Sequence, residues 1–352
     1  MELHYGPESG EMLARREFIR RAGAASALMA GARGALGRES DAATKMAGPS
    51  MREKSETAVK ALYESLSDSQ RKTVCFGWDH VDKDRGLLRT FVANNWHITE
   101  PTIDSDFFTK KQRHLVYDVF ENLFDKDWVS RFVKQLRDDT FGAAWGADQN
   151  IAIFGQPGDD KFQFVMTGRH MTVRADGNSE AHMAFGGPIF HGHAADGFNE
   201  KAHHPGNIFW HQGVMANKVC DLLDGKQREI AIVKKRPAEQ DIEFQPIDKR
   251  PGIPVSKLSG DQKEALQKVL DSLIEPYRQA DRDEVKACLD ANGGLDACNL
   301  AFYSSGDIGD DGVWDNWRLE GPAMAWYFRG SPHVHIWIRV AENPAVELNE
   351  EV

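Results

Sequence analysis

Seven of the chain's thirteen histidines fall between residues 170 and 211: His170, His182, His191, His193, His203, His204 and His211. Uniform spacing would put about one or two in such a window. Two more, His333 and His335, stand on an alternating segment near the C-terminus. Neutral imidazole is the commonest protein metal ligand, and imidazole titrates near neutrality without help. The chemistry to expect is metal ligation, acid–base work, or both.

Spacing narrows the choice. Val334, Ile336, Ile338 and Val340 alternate with His333, His335, Trp337 and Arg339. The apolar set must face the core, so the two histidines share the other face. Imidazoles at i and i+2 on a strand project side by side and can converge on one ion, with a third ligand from a neighbouring strand. Around His170 the same alternation appears, with Met171 and Val173 opposed to His170, Thr172 and Arg174. It predicts a strand that carries His170. A further i, i+2 pair, His191 and His193, lies inside Gly187-Pro188-Ile189-Phe190-His191-Gly192-His193.

A lone histidine on a polar strand face is ordinarily exposed or hydrogen-bonded, so the pairing is what makes these residues candidates. The core ligands are His170, His333 and His335, with His191 and His193 completing or flanking the site. Arg169 and Arg339 are the candidates to hold an anionic group there. Three imidazoles suit a transition metal ion: zinc, copper or iron by ligand type. Zinc implies hydrolysis through activated water; copper or iron implies oxidation.

Other signatures are weaker or missing. Asp307, Asp310, Asp311 and Asp315 form an acidic, glycine-rich stretch, but Gly309 and Arg318 stand where an EF-hand needs oxygen ligands. That stretch reads as a solvated turn, with a non-EF calcium loop or carboxylates approaching the histidine site as the other readings. There is no nucleophile elbow, phosphate-binding P-loop or H-E-x-x-H motif. None of the four cysteines lies in a histidine-rich segment, and no CxxC pattern occurs. Cys288 and Cys298 flank an Asn292-Gly293-Gly294 reversal and read either as a bridge or as two buried thiols. Trp314, Trp317, Trp326 and Trp337 cluster with Tyr327 and Phe328 and read as core or as pocket lining.

The elements that must position these residues follow from periodicity. From Ser55 to about Thr140 the period is helical, with Ala58, Leu62, Leu66 and then Trp128, Phe132, Leu136 as apolar stripes. Near Asn150 the period shortens to two, through Ile151, Ile153, Phe162, Phe164 and Met166. Helical patterning returns near Val214–Leu223 and Gln262–Tyr277, before strand and loop from Asp296 onward. Helix starts repeat a signature at Leu66-Ser67-Asp68-Ser69-Gln70, Phe108-Thr109-Lys110-Lys111-Gln112 and Leu258-Ser259-Gly260-Asp261-Gln262. Their unequal spacings, 42 and 150 residues, do not make a repeat array. The expected fold is α+β: helices packed on a largely antiparallel sheet in a single large domain. Residues 51–352 divide into helical 51–140, β-rich 148–195, helical 205–290 and a β-hairpin 300–342.

A formal charge of −11 argues against nucleic acid as a partner. No apolar run is long enough to span a membrane. Residues 1–50 read as an export signal and linker: Arg15-Arg16-Glu17-Phe18-Ile19-Arg20-Arg21 precedes a mildly apolar stretch and resembles a twin-arginine signal. That route exports folded protein and places this chain outside the cytoplasm, with the twin-arginine machinery as a partner.

The order of motifs is similar to the family called domain of unknown function 3500. The likeness rests on Leu66–Arg71, Gln112-Arg113, Thr167-Gly168-Arg169-His170-Met171-Thr172, Gly187-Pro188-Ile189-Phe190, Leu258-Ser259 with Gln262, and Pro332-His333-Val334-His335. It spans roughly residues 55 to 342. The family has Gly-His-His where this chain reads Gly168-Arg169-His170, so the resemblance transfers His170 alone at that triplet. His191 and His193 lie where many members lack such a pair. The first expectation is thus an exported metalloprotein, a metal-dependent hydrolase or oxidoreductase of unknown substrate. A non-catalytic binding or metal-storage module and a pH-sensing structural protein are the other two readings.

Overall fold

Four helix starts are closed by reciprocal capping boxes: Ser67 with Gln70, Thr109 with Gln112, Asp224 with Gln227, and Ser259 with Gln262. In each, the cap side chain accepts the third residue's N–H while the glutamine accepts the cap's N–H, which satisfies two otherwise orphaned donors. The boxes also bind each other in pairs. Gln70 Nε2 donates to Gln112 Oε1 (2.9 Å) and Gln112 Nε2 returns the bond (3.1 Å). Gln227 and Gln262 do the same at 3.1 and 2.8 Å. Three of these starts are legible in the sequence; the Asp224 box and the pairing are not.

This computed structural model describes residues 51–159, 161–177, 179–180, 182–194, 206–305 and 316–346. The paired caps mark two successive sets of like elements. The first set is α1 (Met51–Ser65), α2 (Asp68–Val74), β1 (Cys75–Phe76), a ribbon β2 (Val81–Asp82) and β3 (Gly86–Leu87), then α3 (Lys110–Glu121) and α4 (Lys126–Asp139). Its strands are β4 (Gln149–Gly155), β5 (Phe162–Gly168), β6 (Met171–Ala175) and β7 (Ile189–His193). The second set is α5 (Trp210–Leu222), α6 (Gly225–Ala231), β8 (Ile232–Val233), β9 (Ile253–Pro254), α7 (Gly260–Ile274) and α8 (Gln279–Ala291). It ends in β10 (Asn299–Tyr303), β11 (Asn316–Gly321), β12 (Met324–Arg329) and β13 (Val334–Val340).

All strands but β2 and β3 join one sheet in the order β1-β4-β5-β6-β7-β13-β12-β11-β10-β8, with β9 on β10. Each set contributes a four-strand antiparallel meander, and its short first strand pairs parallel to β4 or β10. The sets meet at the antiparallel β7–β13 pair. The chain is therefore two copies of one element order, about 150 residues apart, joined edge to edge in a single sheet. That is a pair, not an array. The α+β class and the largely antiparallel sheet stand as expected.

One face of the sheet carries the main core. Ile151, Ile153, Phe164, Met166, Met171, Trp317, Trp326, Phe328, Val334, Ile336 and Ile338 pack there against apolar stripes such as Leu62, Phe120, Phe132, Leu266 and Val285. The far face is not open to water. Leu88, Phe91, Trp96 and Ile98 cover Ala152, Phe154 and Val165, while Val92 and Ile242 cover Phe190, Tyr303, Tyr327 and Trp337. Alternating strands normally leave one face wet. Here irregular segments bury the polar face as well, so His335, Trp337 and Arg339 are all at most 5% exposed.

Those covering segments also correct the element boundaries. The 51–140 stretch is interrupted by the mostly irregular residues 75–108, and the 205–290 stretch by residues 232–258, which include Pro237, Pro246, Pro251 and Pro254. The 300–342 hairpin is a four-strand meander. Cys288 and Cys298 are separate buried thiols. The arginine-rich N-terminus, His203 and His204, and the acidic 307–315 stretch lie outside the described residues. No helix among the described residues is long and apolar enough to cross a membrane.

Candidate metal centre

The far-face alternation of β13 brings His335 out beside Trp337, and His333 joins it from the residue before Val334. His170 arrives differently from the expectation. It is not on a strand but in the two-residue turn between β5 and β6, with φ +53°, in the left-handed region that few side chains other than Asn and Asp adopt readily. The turn is pinned: the His170 N–H donates to Asn95 Oδ1 at 3.2 Å. Before it, Gly168 has φ +152°, and any Cβ there would lie 2.2 Å from the Asp148 carbonyl oxygen.

His170, His333 and His335 converge, each essentially buried. Nε2 of His335 is 3.1 Å from Nε2 of His170 and 3.0 Å from Nε2 of His333. The coordinating atoms all lie within 4.8 Å of one another. Tetrahedral ligands at ~2.0–2.1 Å from an ion stand roughly 3.3 Å apart, so the three rings need only small adjustment to share one.

Two carboxylates hold the rings from behind. Asp139, the last residue of α4, accepts from His170 Nδ1 at 2.9 Å, from Gln135 Nε2 at 2.9 Å and from the Ala194 N–H at 2.8 Å. Burial works to raise its pKa, but the His170 contact and the other donors win and the carboxyl is held low. Glu239 accepts from His335 Nδ1 at 2.6 Å and pairs with Arg329. Burial again opposes ionisation, yet His335 and Arg329 bring Glu239 down to about 2. His335 itself is pushed down to about 3 by burial, so it stays a neutral imidazole, the form that ligates. Arg329 also donates to the His333 carbonyl at 2.9 Å, which ties that residue to the same network.

The His191-Gly192-His193 run reads differently in three dimensions. His191 stands opposite Met171 and Ile336 on the core face, and its ring packs against Phe132, Phe209 and Tyr277. Burial alone pushes it down to about 3, and the Tyr277 hydroxyl lies 3.3 Å from Nδ1. His193, at the strand's end, is lowered by burial to about 4, against the pull of Asp139 and Asp138. Neither belongs to the group of three. The residue that does face the triad is the glycine between them. Gly192 opposes His335, and a Cβ on it would lie 2.5 Å from the Val334 carbonyl oxygen, 3.0 Å from His170 Cδ2 and 3.1 Å from His335 Cδ2.

Of the two arginines, Arg169 neighbours His170 in the turn, its Nε buried without a hydrogen-bond partner. Arg339 is four residues along the strand from His335, ~13 Å away. It lies over the Phe244 ring and donates to the Val346 carbonyl, so it is not brought to the triad. Sequence reasoning missed Asp139, Glu239, Gly192 and Asn95. Only Asp139 leaves a signal: acidic residues are disfavoured at a helix C-terminus, and Asp138-Asp139 closes α4.

The model of the family described as a protein of unknown function (DUF3500) matches residues 50–343. The chain belongs to this family. No curated protein and no solved structure matches it. The expected likeness over residues 55 to 342 is thus borne out. What the chain offers chemically comes from its own geometry: a buried three-histidine group, two of its rings backed by carboxylates, that can hold a metal ion.

Proposed function

We propose that this protein is a metal-dependent hydrolase whose single ion is held by Nε2 of His170, His333 and His335. The supporting observation is the carboxylate behind each of two rings. With Asp139 and Glu239 taking the Nδ1 protons, Nε2 of His170 and of His335 both carry lone pairs, and they face each other at 3.1 Å. Two lone pairs at that distance repel; a shared cation turns the repulsion into ligation. Carboxylate–histidine pairs of this kind fix the tautomer and strengthen the ligand at metal sites.

The donor types favour zinc. Among the described residues the group contains no thiolate, as a blue-copper site would, and no carboxylate, as an iron facial triad would. Three imidazoles match a catalytic zinc set, and an ion held by neutral ligands keeps its full charge as a Lewis acid that acidifies water. The chain's own part is orientation and exclusion. Asp139 and Glu239 aim two rings, Gly192 leaves room for them, and the covering segments keep bulk water out. Burial of all three rings supports one selected ion over surface storage of many. Export in the folded, loaded state is part of the proposal, supported by the Arg15-Arg16-Glu17-Phe18-Ile19 run.

Metal analysis of protein produced in a bacterial cytoplasm tests it: about one zinc per chain is expected. Cobalt substitution should give the intense visible bands of a four-coordinate site in the wild type and none in His335→Ala. Protein that neither carries transition metal nor takes up zinc or cobalt overturns the reading.

A further inference from the structure

On the far face, beside the triad, polar atoms are buried with nothing from the protein to bond. Trp337 Nε1 and the Tyr327 hydroxyl both lack a hydrogen-bond partner, in side chains that are 1% and 0% exposed. The two residues are direct neighbours across β12 and β13. Leaving such donors unmatched is unfavourable, so a native protein ordinarily supplies a partner. Trp337 also lines a cleft of about 570 Å³ together with Asn94, Lys235, Arg236, Pro237 and Glu239. Phe190 packs against both Trp337 and His335, with ring centroids 4.6 and 5.2 Å away.

The electrostatics of this cleft oppose those of the chain. The protein carries −11 overall, yet Lys235 and Arg236 place two adjacent cations at the cleft's wall. Burial raises the Tyr327 pKa; Arg236, Arg318 and Arg329 pull it down while Glu239 pushes it up. Glu239, the carboxylate in that surrounding, is engaged by His335 and Arg329. Arg236 makes one long bond, to the Ser331 carbonyl at 3.4 Å, which leaves most of its five-donor fork for something else.

We propose that this cleft binds a small molecule bearing an oxyanion, a carboxylate or a phosphate. Arg236 takes the charge in its planar fork, the Trp337 N–H donates to an acceptor on the same molecule, and Pro237 and Ala238 border its apolar part. The proposal rests on the metal-centre reading only for what binding achieves, namely delivery of an anionic substrate next to the ion. Binding itself does not need the metal.

Calorimetry with benzoate, its neutral counterpart benzamide, and inorganic phosphate tests it, on protein as purified and again after chelation, with folding checked by circular dichroism. Saturable one-to-one binding of benzoate or of phosphate, weakened at least tenfold in Arg236→Ala and partly restored in Arg236→Lys, is the expected result. Benzoate without phosphate assigns a carboxylate ligand, and the reverse a phosphate. Tyr327→Phe and Trp337→Phe report on the buried donors, and Lys234→Ala serves as a charge control with unchanged affinity. Binding that persists in protein unable to take up metal leaves this site standing while the metal reading falls. No binding of either anion, equal binding of benzamide, or equal losses in Arg236→Ala and Lys234→Ala overturns it.

Discussion

The two halves of the molecule share a hairpin and use it differently. In the first half, Gly168-Arg169-His170-Met171 closes β5 onto β6, with Gly168 paired to Met171. In the second, Gly321-Pro322-Ala323-Met324 closes β11 onto β12, with Gly321 paired to Met324. The strand pairing is the same, but the turns differ: Gly168 and His170 have φ +152° and +53°, whereas Gly321 and Ala323 stay outside the left-handed region, and the third residue is an imidazole in one copy and a methyl group in the other. His170 reaches the junction of the halves, whereas Ala323 packs with Met183 and Ala341. The metal centre is accordingly asymmetric: one ligand and Asp139 come from the first half, two ligands and Glu239 from the second. The two halves share a strand pairing, and the side chains at only one of the two hairpins contribute to a site.

The largest expected effect comes from erasing the difference. His170→Ala makes the first turn chemically like the second and should abolish stoichiometric metal, read by elemental analysis. His191→Leu, on the opposite face one residue from Gly192, should leave metal content unchanged. Equal metal loss in both would mean that the two faces are not chemically distinct. Next come the carboxylates behind the rings. Asp139→Asn and Glu239→Gln should each lower zinc affinity by about 10–100-fold, measured by chelator competition. An effect from one half only would show that the halves do not contribute equally.

Steric tests are smaller. Gly192→Ala forces a methyl group against the Val334 carbonyl and both rings, and should cost about 1–3 kcal/mol in denaturant unfolding together with weaker metal binding. Ala323→His completes the converse swap and should destabilise by about 1–3 kcal/mol without gaining a second ion, because among the described residues the histidine group that could hold one is His170, His333 and His335. The smallest effects belong to the caps. Ser67→Ala and Ser259→Ala should each cost about 1 kcal/mol, and near-equal losses would show that the paired boxes do equivalent work in both halves.

Much of this was legible from the chain alone, and the particular residues show why. The β13 alternation placed Val334, Ile336 and Ile338 in the core and His335 opposite them, because side-chain direction in a strand depends only on parity. The same parity rule misled at His191-Gly192-His193. Two histidines drew attention, yet nothing local says which face of β7 meets the triad, and it is the glycine's. His170 was read correctly as a partner and wrongly as a strand residue, since a tight turn with positive φ requires no glycine when Asn95 holds the backbone.

Caps, periodicity and composition are determined by neighbours within a few residues, so the sequence by itself settled the helix starts at Ser67, Thr109 and Ser259, the α+β class and the candidate ligands His170, His333 and His335. Asp139 and Glu239 reach those ligands across 31 and 96 residues of chain. The irregular segments that bury the far face, and the β7–β13 edge that joins the halves, depend likewise on which surfaces close against each other. Such contacts form only when the whole sheet assembles, so their partners carry no local pattern, and the tertiary structure alone decided them.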